Sequence, residues 1–541
     1  SSEPAAGWAP GIGLLLCWQA ALTLLRPARR LAREPATSRW PAMILALLVP
    51  LAALALLSLH PPLRGPLAYR TVLAQVPWRL LLELDDMDGD GYPGLLGGDC
   101  APWDETRHPA AEDLPGNGLD EDCLGGDAAL RPRQQVVASS LTGRFLGRNL
   151  VLVTIGNLGA AQLSGNGSPR LITPAIDLLV SRGILLSRAW AQSTSCSASL
   201  ASLLKGRYPR QLALSPAAVA PDATVHPLRQ GEQAPPGTRV VWNAPLHDTS
   251  TSLAGHLADH DRLTLAVAAA VEQAPGTGLL HGFAQVDATP LSEAGTEAGK
   301  PVVDDRAVQA ALGLLDEVRG RTFFLWVHLP DAEPPHLLHG GTPYHGDAPA
   351  SRYDGEVAFA DAQLGRLLGR MDQQGLLAST LVVVTADHGP ALAAQPPGLL
   401  ADQLHVPLLF LLPGEEARSI PAFVENVDVL PTVLELLGLP APPGLAGQSL
   451  VPLFDGVRTE RLRPEVVAEL RTAGRSLRTL LSGDRQLLLD ERLGLATLLP
   501  VRHGQGGPSE PEPEVALLEQ LLQRLAQWDR RGPPPPTEPV Q

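Results

Sequence analysis

The chain has few basic residues and no cluster of them. Its 541 residues include 42 Lys and Arg against 57 Asp and Glu, which gives a formal net charge of −15 at pH 7, and aromatic residues make up only 4%. Because proteins bind the phosphates of nucleic acids through a clustered basic face, this composition argues against a nucleic-acid partner. The length allows one large α/β domain with smaller appended segments.

Charge is also missing from two apolar runs near the N-terminus. Neither Trp8 to Leu25 nor Pro41 to Leu59 contains a charged residue, and each run is close to the ~20 residues that a helix needs to cross the core of a bilayer. We therefore predict a transmembrane hairpin at residues 1–60. A cleaved signal sequence or a buried core hairpin is the alternative.

The loop between these two runs predicts their orientation. It carries five arginines and one glutamate, so the positive-inside rule places it in the cytoplasm. The predicted location is therefore the cell membrane, with two spans and with every later domain extracytoplasmic. Because the chain begins with Ser rather than Met, we expect that residues precede it.

From residue 148 onward, strand and helix signals alternate, as in an α/β sheet. Four apolar runs predict buried parallel strands, and residues 212–300 are expected to form loops and short elements. The strands are expected at 149–155, 322–329, 380–385 and 406–412, and the helices at 173–182, 354–374 and 428–437. Because active sites of such sheets lie at the carboxyl ends of strands, the residues that follow the first three strands are the candidate site.

Several segments of this region resemble motifs of the sulfatase branch of the alkaline phosphatase superfamily. AQSTSCSASLASLLKGRYP around Cys196 resembles the nucleophile segment of that family, and TADHGP at 385–390 resembles its metal-ligand segment. Further similar segments are SRGILLSRAWAQ, YDGEVAFADAQLGRLL, HVPLLFLLPG and NVDVLPTVLELLGLPAPPGLAGQSLVPLF. The resemblance implies a mixed α/β sheet sandwiched by helices at 148–464 and a small C-terminal α+β subdomain at 465–530.

The resemblance also implies a reaction and a set of site residues. Sulfatases hydrolyse sulfuric esters with a formylglycine nucleophile, made from the Cys of C-x-P/A-x-R, beside a divalent cation that is typically Ca²⁺. Relatives with Thr or Ser in that position act on phosphoric esters. The implied nucleophile is Cys196, and the implied metal ligands are Asp387, His388 and Asn157. The implied substrate-side residues are Glu333, His336 and Lys205.

Four positions in these motifs depart from the family pattern. Gly156 stands where a metal-binding Asp follows the first strand, and Leu200 stands where the modifying enzyme reads an Arg. Gly159 also replaces a frequent Arg, and Glu333 replaces a His. A carboxylate at position 333 would repel a sulfate group.

These departures lead to two hypotheses. Conversion of Cys196 to formylglycine is not expected without the Arg, and a plain thiol is a soft ligand that suits Zn²⁺ better than Ca²⁺. The first hypothesis is a membrane-anchored hydrolase of sulfuric or phosphoric esters with a degenerate site. The second is a catalytically inactive surface protein that has the sulfatase fold and binds a ligand in the cleft.

Residues 84–127 form a separate acidic segment. DDMDGDGYPGLLGGDCAPWDETRHPAAEDLPGNGLDEDC at 85–123 resembles the Asp-rich metal-binding repeat of bacterial surface proteins. Alternating carboxylates with intervening glycines suit a hard cation, as in the first half of an EF-hand loop, so Ca²⁺ is predicted here. A solvated acidic linker is the alternative. The candidate ligands are Asp86, Asp88, Asp90, Asp99, Asp104, Asn117, Asp120 and Asp122.

The sequence contains four cysteines. Cys17 lies in the first apolar run and Cys196 lies in the nucleophile-like segment, which leaves Cys100 and Cys123 as the expected pair. An extracytoplasmic location permits this disulfide, and closing its loop contributes about 3 kcal/mol in the chain-entropy model. The remaining segments are a predicted linker at 61–83 and a predicted disordered tail at 531–541.

Overall fold

The computed structural model describes the chain from residue 85 onward, with gaps. The described residues are 85–89, 92, 99–108, 118–121, 123, 139–220, 224–228, 234–236, 238–294, 303–318, 320–337, 348–391, 398–456, 465–472, 475–501 and 515–531. The predicted hairpin at 1–60 and the predicted linker at 61–83 lie outside these residues. Within the ranges just given, no helix combines the length and the hydrophobicity that crossing a bilayer requires.

The strands are numbered in chain order over the described residues. They are β1 (Asn149–Ile155), β2 (Ile184–Trp190), β3 (Ser215–Val219), β4 (Val225–Pro227), β5 (Arg239–Ala244), β6 (Leu263–Val267), β7 (Gln285–Asp287), β8 (Phe323–Leu329), β9 (Thr380–Ala386), β10 (His405–Leu411), β11 (Arg418–Glu425), β12 (Glu465–Thr472), β13 (Arg475–Ser482), β14 (Arg485–Asp490) and β15 (Leu495–Pro500).

The helices are numbered in the same way. They are α1 (Pro174–Val180), α2 (Cys196–Lys205), α3 (Leu253–Ala258), α4 (Thr289–Ala294), α5 (Asp304–Glu317), α6 (Pro349–Gln373), α7 (Ala401–Leu404), α8 (Val429–Leu436), α9 (Val451–Phe454) and α10 (Val515–Arg531). Short 3₁₀ turns connect several of these elements.

An eight-stranded mixed sheet forms the centre of the fold. Its strand order is β11-β2-β10-β9-β1-β8-β6-β7. β1 lies parallel to both β8 and β9, while β10 runs antiparallel to both β9 and β2. Every residue of β1, β8 and β9 is buried, as expected for central strands that are covered on both faces. This architecture confirms the predicted α/β fold with a mixed sheet.

The predicted helices occur close to their expected bounds. α6 begins with Pro349 at its first position, where the missing N–H of proline costs no hydrogen bond. α1 begins in the same way with Pro174, and the carboxylate of Asp361 on α6 accepts hydrogen bonds from Ala175 N and Ile176 N at 2.9 and 2.8 Å. These bonds satisfy two of the free amides at the start of α1.

One expectation about the central sheet was wrong. The run at 406–412 was expected to be a parallel strand, but β10 is antiparallel to both of its neighbours. An apolar run buried on both faces has the same sequence pattern in either direction. The described part of the β9–β10 connection contains only the four-residue helix α7, whereas parallel neighbours usually need a longer crossover.

Residues 212–300 were expected to form loops and short elements, and their described part consists of short strands and helices joined by loops. Two of these strands, β6 and β7, extend one edge of the central sheet. The segment also forms a separate three-stranded sheet in the order β4-β3-β5. These strands have three to six residues each, which is too short for a clear periodic pattern in the sequence.

Residues 465–531 form a four-stranded antiparallel sheet in the order β12-β13-β14-β15 with the closing helix α10. The helix continues to Arg531, the first residue of the predicted tail. Its Trp528 packs edge-on against Tyr208 of the larger domain, with ring centroids 4.4 Å apart. The C-terminal sheet is thereby attached to the larger domain through an aromatic contact.

A buried network of charges makes a second attachment. Arg210, in the turn after α2, has its Nε 2.6 Å from Glu469 Oε1 on β12 and its Nη2 3.0 Å from Glu491 Oε1. Arg478 on β13 lies within 3.3 and 3.6 Å of the same two carboxylates. All four side chains are less than 10% exposed, so each charge depends on its partners for compensation.

Replacing Arg210 with Met is expected to lower the free energy of unfolding by about 3 to 5 kcal/mol, because Glu469 and Glu491 would lose a buried counterion. Urea-induced unfolding of the purified variant measures this change. Arg475→Met, at an exposed residue of β13, is the matched control and is expected to stay within about 0.5 kcal/mol of the unchanged protein. Equal stabilities for the two variants would contradict the assigned role of the network.

Candidate active site and metal centre

The carboxyl ends of three parallel strands meet at one edge of the central sheet. Ile155 of β1 is level with Leu329 of β8 and with Ala386 of β9. The residues that follow these strands therefore lie side by side, at the position where α/β sheets usually bind ligands. Helix α2 begins at the same edge with Cys196.

Four ionisable side chains converge there. Cys196 Sγ lies 3.2 Å from Glu333 Oε1 and 3.4 Å from His388 Nε2. His388 Nε2 lies 3.3 Å from Glu333 Oε1 and 3.8 Å from Asp387 Oδ2. One ligand atom from each residue lies within 4.8 Å of all the others. We refer to Cys196, Glu333, Asp387 and His388 as the cleft cluster.

Asp387 is held by backbone hydrogen bonds through one carboxylate oxygen, and its other oxygen accepts no hydrogen bond from the described residues. Its Oδ1 accepts hydrogen bonds from Asn157 N at 2.9 Å and from His388 N at 2.7 Å. Its Oδ2 is buried and accepts no hydrogen bond from the described residues. Because a buried carboxylate oxygen without a partner is costly, this oxygen is available for a bound cation.

Asn157 and Tyr353 shape the turn that follows β1. Asn157 has a positive φ of 56°, and its side-chain amide donates a hydrogen bond to Ala332 O at 2.9 Å. The Tyr353 hydroxyl donates to Asn157 O at 2.8 Å and accepts from Gly159 N at 3.2 Å. Asn157 therefore positions Asp387 through its backbone N–H and the loop after β8 through its side chain.

Glu333 fills the space beside Gly156, the position at which the family's Asp is missing. A Cβ atom placed on Gly156 would lie 3.3 Å from Glu333 Cγ and 3.5 Å from Glu333 Oε1. It would also lie 3.3 Å from Pro330 Cα. The carboxylate that the first strand lacks thus has a counterpart that reaches the same place from the loop after β8.

The other two departures, Leu200 and Gly159, place no basic side chain where the family pattern has an Arg. Leu200 is fully buried in the hydrophobic core. At Gly159, an added Cβ would lie 2.8 Å from Pro390 Cδ and 2.8 Å from Gln162 Oε1, so a side chain there requires its neighbours to move. Neither position supplies the cleft with a positive charge.

The acidic residues fix the protonation of His388. Burial alone would lower the pKa of its imidazole, but the carboxylates of Asp387 and Glu333 outweigh burial and raise this pKa to about 10. In the same way, burial would raise the pKa of Glu333, but the His388 charge lowers it to about 2. At neutral pH the two residues form an ion pair.

The thiol of Cys196 is held in its neutral form. Burial raises its pKa well above the ordinary value, and the charges of Glu333 and Asp387 raise it further. The position of Cys196 at the start of a helix favours a thiolate, but the neighbouring carboxylates have the stronger opposite effect. Cys196 is therefore a poor nucleophile as long as no cation occupies the cleft.

Sequence reasoning missed Glu272, whose carboxyl is a further ionisable group near the cluster. Burial, together with the charges of Glu333 and Asp387, raises the pKa of its carboxyl to about 7 against the opposing effect of Arg239. Glu272 belongs to a short 3₁₀ turn within the poorly patterned segment 212–300. No periodicity or motif in that segment marks it.

Three residues near the motifs lie outside the cluster. The ammonium of Lys205 is buried at the far end of α2 and pairs with Asp248 Oδ1 at 2.6 Å. His336 packs against the ring of Tyr353, with centroids 5.4 Å apart. The carboxylate of Asp331 accepts hydrogen bonds from the amides of Val303 and Asp304 at the start of α5. The substrate-side roles of Lys205 and His336 stay predictions.

The donor atoms of the cleft cluster do not fit Ca²⁺. That ion takes six to eight oxygen ligands, whereas the cluster offers a thiol, an imidazole and two carboxylates. The side-chain amide of Asn157, the expected additional ligand, is turned toward Ala332 O by a hydrogen bond. Sulfur and imidazole nitrogen are donors for borderline and soft transition metals.

In the Asp-rich segment, Cys100 and Cys123 form a disulfide with a Cα–Cα distance of 5.3 Å. Asp86 Oδ1 accepts a hydrogen bond from Gly89 N at 2.8 Å. Burial, followed by the charges of Asp88 and Asp86, raises the pKa of Asp99, which indicates that carboxylates are close together here. Asp90, Asn117 and Asp122 lie outside the described residues, and Ca²⁺ binding by this segment stays a prediction.

Two further candidate ligands of this segment are described. The carboxylate of Asp104 accepts hydrogen bonds from Thr106 N and Thr106 Oγ1 at 3.2 and 2.6 Å. The backbone carbonyl of Asp120 accepts from the Arg107 guanidinium at 3.3 Å. Asp104 is thus engaged within its own turn.

Comparisons with known sequences agree on one family. A model described as Sulfatase matches residues 148–236 and 263–439. Arylsulfatase A of Bos taurus is 25% identical over 347 residues, which are 57% of this chain and 68% of the relative. Arylsulfatase K of Bos taurus is 36% identical, but over only 105 residues, 18% of this chain and 19% of the relative. The chain therefore spans about a fifth of the length of arylsulfatase K.

Solved structures support the same fold. A putative sulfatase from Bacteroides thetaiotaomicron superposes with a TM-score of 0.55 at 16% identity, covering 71% of this chain and 92% of the other. The phosphonate monoester hydrolase of Agrobacterium radiobacter superposes with a TM-score of 0.55 at 17% identity, covering 70% and 95%. At these identities the similarity concerns the fold alone.

Replacing Glu333 with Gln is expected to make Cys196 more reactive. The change removes a negative charge that, in addition to burial, raises the pKa of the thiol, and each unit by which this pKa falls gives about tenfold more thiolate. The rate of carbamidomethylation at Cys196 by iodoacetamide, followed by peptide mass mapping in the presence of a chelator, measures the effect.

The matched control is Glu415→Gln, which removes a carboxylate that pairs with Arg144. Its alkylation rate at Cys196 is expected to equal that of the unchanged protein. An equal or slower rate in Glu333→Gln would show that this carboxylate does not control the thiol.

Proposed function

We propose that this domain hydrolyses esters of sulfuric or phosphoric acid at the cleft cluster, because the sulfatase family model matches residues 148–236 and 263–439. The cleft cluster lies where the family's nucleophile and metal-ligand segments meet. The proposal differs from the usual reaction of the family in one respect. Cys196 stays an unmodified cysteine, because Leu200 replaces the Arg that the modifying enzyme reads.

One observation supports this function above the others. Cys196, Glu333, Asp387 and His388 are brought together from three separate segments, within 4.8 Å of one another, at the carboxyl edge of the sheet. Collecting buried and half-buried ionisable groups in this way costs stability. Such clusters in clefts are characteristic of sites where binding or catalysis requires perturbed charges.

The charge of the cleft restricts what it can bind. Glu333 and Asp387 share the single positive charge of His388, and Cys196 is neutral, so the cluster has an excess of negative charge. An anionic ester therefore meets a cleft with an excess of negative charge, and His388 supplies the one positive charge within the cluster. Efficient hydrolysis requires additional positive charge near the reacting group.

This electrostatic arrangement also supports a second candidate function. A neutral thiol and a carboxylate in the position of a His are departures that would weaken attack on an anionic ester. A catalytically inactive sulfatase-fold protein that binds a ligand in the cleft is therefore the alternative. Turnover by the purified protein distinguishes the two.

We also propose that residues 1–60 anchor the domains in a membrane, with residues 61–541 on the extracytoplasmic side. Two uncharged apolar runs and the arginine-rich loop between them support this arrangement. The disulfide between Cys100 and Cys123 is of a kind that persists in oxidising compartments.

The full chain is expected to stay in the pellet after alkaline carbonate extraction of membranes. Release into the supernatant, as expected for a variant that lacks residues 1–60, would contradict the anchor.

The full-length purified protein is expected to hydrolyse p-nitrophenyl sulfate or p-nitrophenyl phosphate. Asp387→Asn should reduce the rate by at least about 100-fold, the order of loss seen when a group that organises charge in an active site is removed. Release of p-nitrophenol measures the rate. Asp484→Asn, at an exposed carboxylate on the C-terminal sheet, is the control and should keep full activity.

Mass spectrometry of the peptide that contains Cys196 completes this experiment. A plain cysteine together with turnover would support the proposed function, while an aldehyde at this position would show that the usual formylglycine forms despite Leu200. A plain cysteine with no turnover of either ester would favour the ligand-binding alternative.

A further inference from the structure

Two departures from the family pattern, at positions 156 and 333, meet at one point in space. The first strand has lost a metal-binding carboxylate at Gly156, and the loop after β8 has gained one at Glu333. The side chain of Glu333 passes within 3.3 Å of the place where a Cβ of residue 156 would lie. A side chain at position 156 and the present position of Glu333 therefore compete for the same space.

We propose that Glu333 replaces the missing carboxylate of position 156 and that the cleft cluster binds a thiophilic divalent transition metal such as Zn²⁺. Cys196 is then a metal ligand rather than the nucleophile. The inference rests on the proposed function for the use of this metal in hydrolysis, and metal binding itself is tested without any substrate.

The spacing of the donor atoms suits a small tetrahedral ion. Zn²⁺ binds sulfur, nitrogen and oxygen ligands at about 2.0 to 2.3 Å, and tetrahedral geometry then separates neighbouring ligands by about 3.3 to 3.6 Å. The measured separations are 3.2 Å for Cys196 Sγ to Glu333 Oε1, 3.4 Å for Cys196 Sγ to His388 Nε2 and 3.3 Å for His388 Nε2 to Glu333 Oε1. Small adjustments of these side chains would seat the ion.

Asp387 gives an independent indication of a cation. Its side chain is fully buried, and its Oδ2 accepts no hydrogen bond from the described residues while it lies 3.8 Å from His388 Nε2. The two backbone amides on Oδ1 fix the direction of Oδ2. An unsatisfied buried oxygen at the edge of a group of metal-binding side chains is explained by a fourth ligand position.

The mixture of donors selects the class of metal. One thiol, one imidazole and two carboxylates match the ligand types of Zn²⁺ and Co²⁺ sites. Ca²⁺ and Mg²⁺ prefer oxygen ligands, and Ca²⁺ needs more of them than the cluster contains. A dication would also offset the excess negative charge of the cleft, which otherwise disfavours an anionic ester.

The test uses the full chain in a Cys17→Ala background, so that Cys196 is the one thiol outside the disulfide. The protein is stripped with a chelator, and its affinities for Zn²⁺, Co²⁺ and Ca²⁺ are measured by competition and by elemental analysis after gel filtration. Co²⁺ is expected to bind at the cleft and to produce a near-ultraviolet thiolate-to-cobalt charge-transfer band.

Three substitutions locate the metal. Cys196→Ser should abolish the charge-transfer band, and Glu333→Gln should weaken Zn²⁺ binding by at least about tenfold. Glu415→Gln, which changes a carboxylate that pairs with Arg144, should alter neither reading. The pair Gly156→Asp with Glu333→Ala moves the carboxylate back to the first strand and should recover part of the affinity that Glu333→Ala alone loses.

The absence of a charge-transfer band in the Co²⁺-loaded protein would overturn the proposal, and so would equal Zn²⁺ affinity in Glu333→Gln. Circular dichroism confirms that each variant is folded before its affinity is compared. Metal binding without ester turnover would leave this site standing while the proposed hydrolase function fails. Turnover that persists in metal-free protein would support the proposed hydrolase function and would contradict the use of this metal in hydrolysis.

Discussion

The parallel alignment of β1 with β8 and β9 is the constraint on which the rest of the site depends. It places the ends of three separate segments side by side, so that residues far apart in the chain share one small volume. The turn after β1 is fixed by Tyr353, and the amide of Asn157 orients Asp387. Asp387 is therefore held by backbone hydrogen bonds, and such support from rigid elements is the usual requirement for a precise metal or catalytic site.

Electrostatic balance within this volume explains why the individual departures from the family pattern belong together. Moving a carboxylate from position 156 to position 333 keeps an anionic ligand in the cleft, but it brings that ligand next to Cys196 and His388. Burial raises the pKa of the thiol and the charge of Glu333 raises it further, while the carboxylates of Asp387 and Glu333 together keep the imidazole charged. A cluster in this state is poorly suited to attack by a free thiolate, and its donor set is well suited to a borderline or soft metal ion.

The surrounding structure contributes stability more than chemistry. Lys205 and Arg210 lie close in sequence to Cys196, yet both are committed to buried ion pairs, with Asp248 and with Glu469. These pairs fix the end of α2 and attach the C-terminal sheet, so the start of the same helix can hold Cys196 in place. Proximity in sequence to a motif is therefore a weak guide to a role in the cleft, because a helix of ten residues separates its two ends by about 15 Å.

The sequence alone determined the α/β class and the three strands whose ends form the site, and it singled out Cys196, Asp387 and His388 as candidates, because long apolar runs and short motifs are local signals. It did not determine the direction of β10 or the strands within 212–300, since burial on both faces hides direction and very short strands lack periodicity. Only the tertiary structure decided that Glu333 joins the cluster beside Gly156 and that Glu272 lies near it. Those relations depend on spatial distances between segments that are far apart in the chain, as Gly156 and Glu333 are, and a linear sequence does not contain such distances.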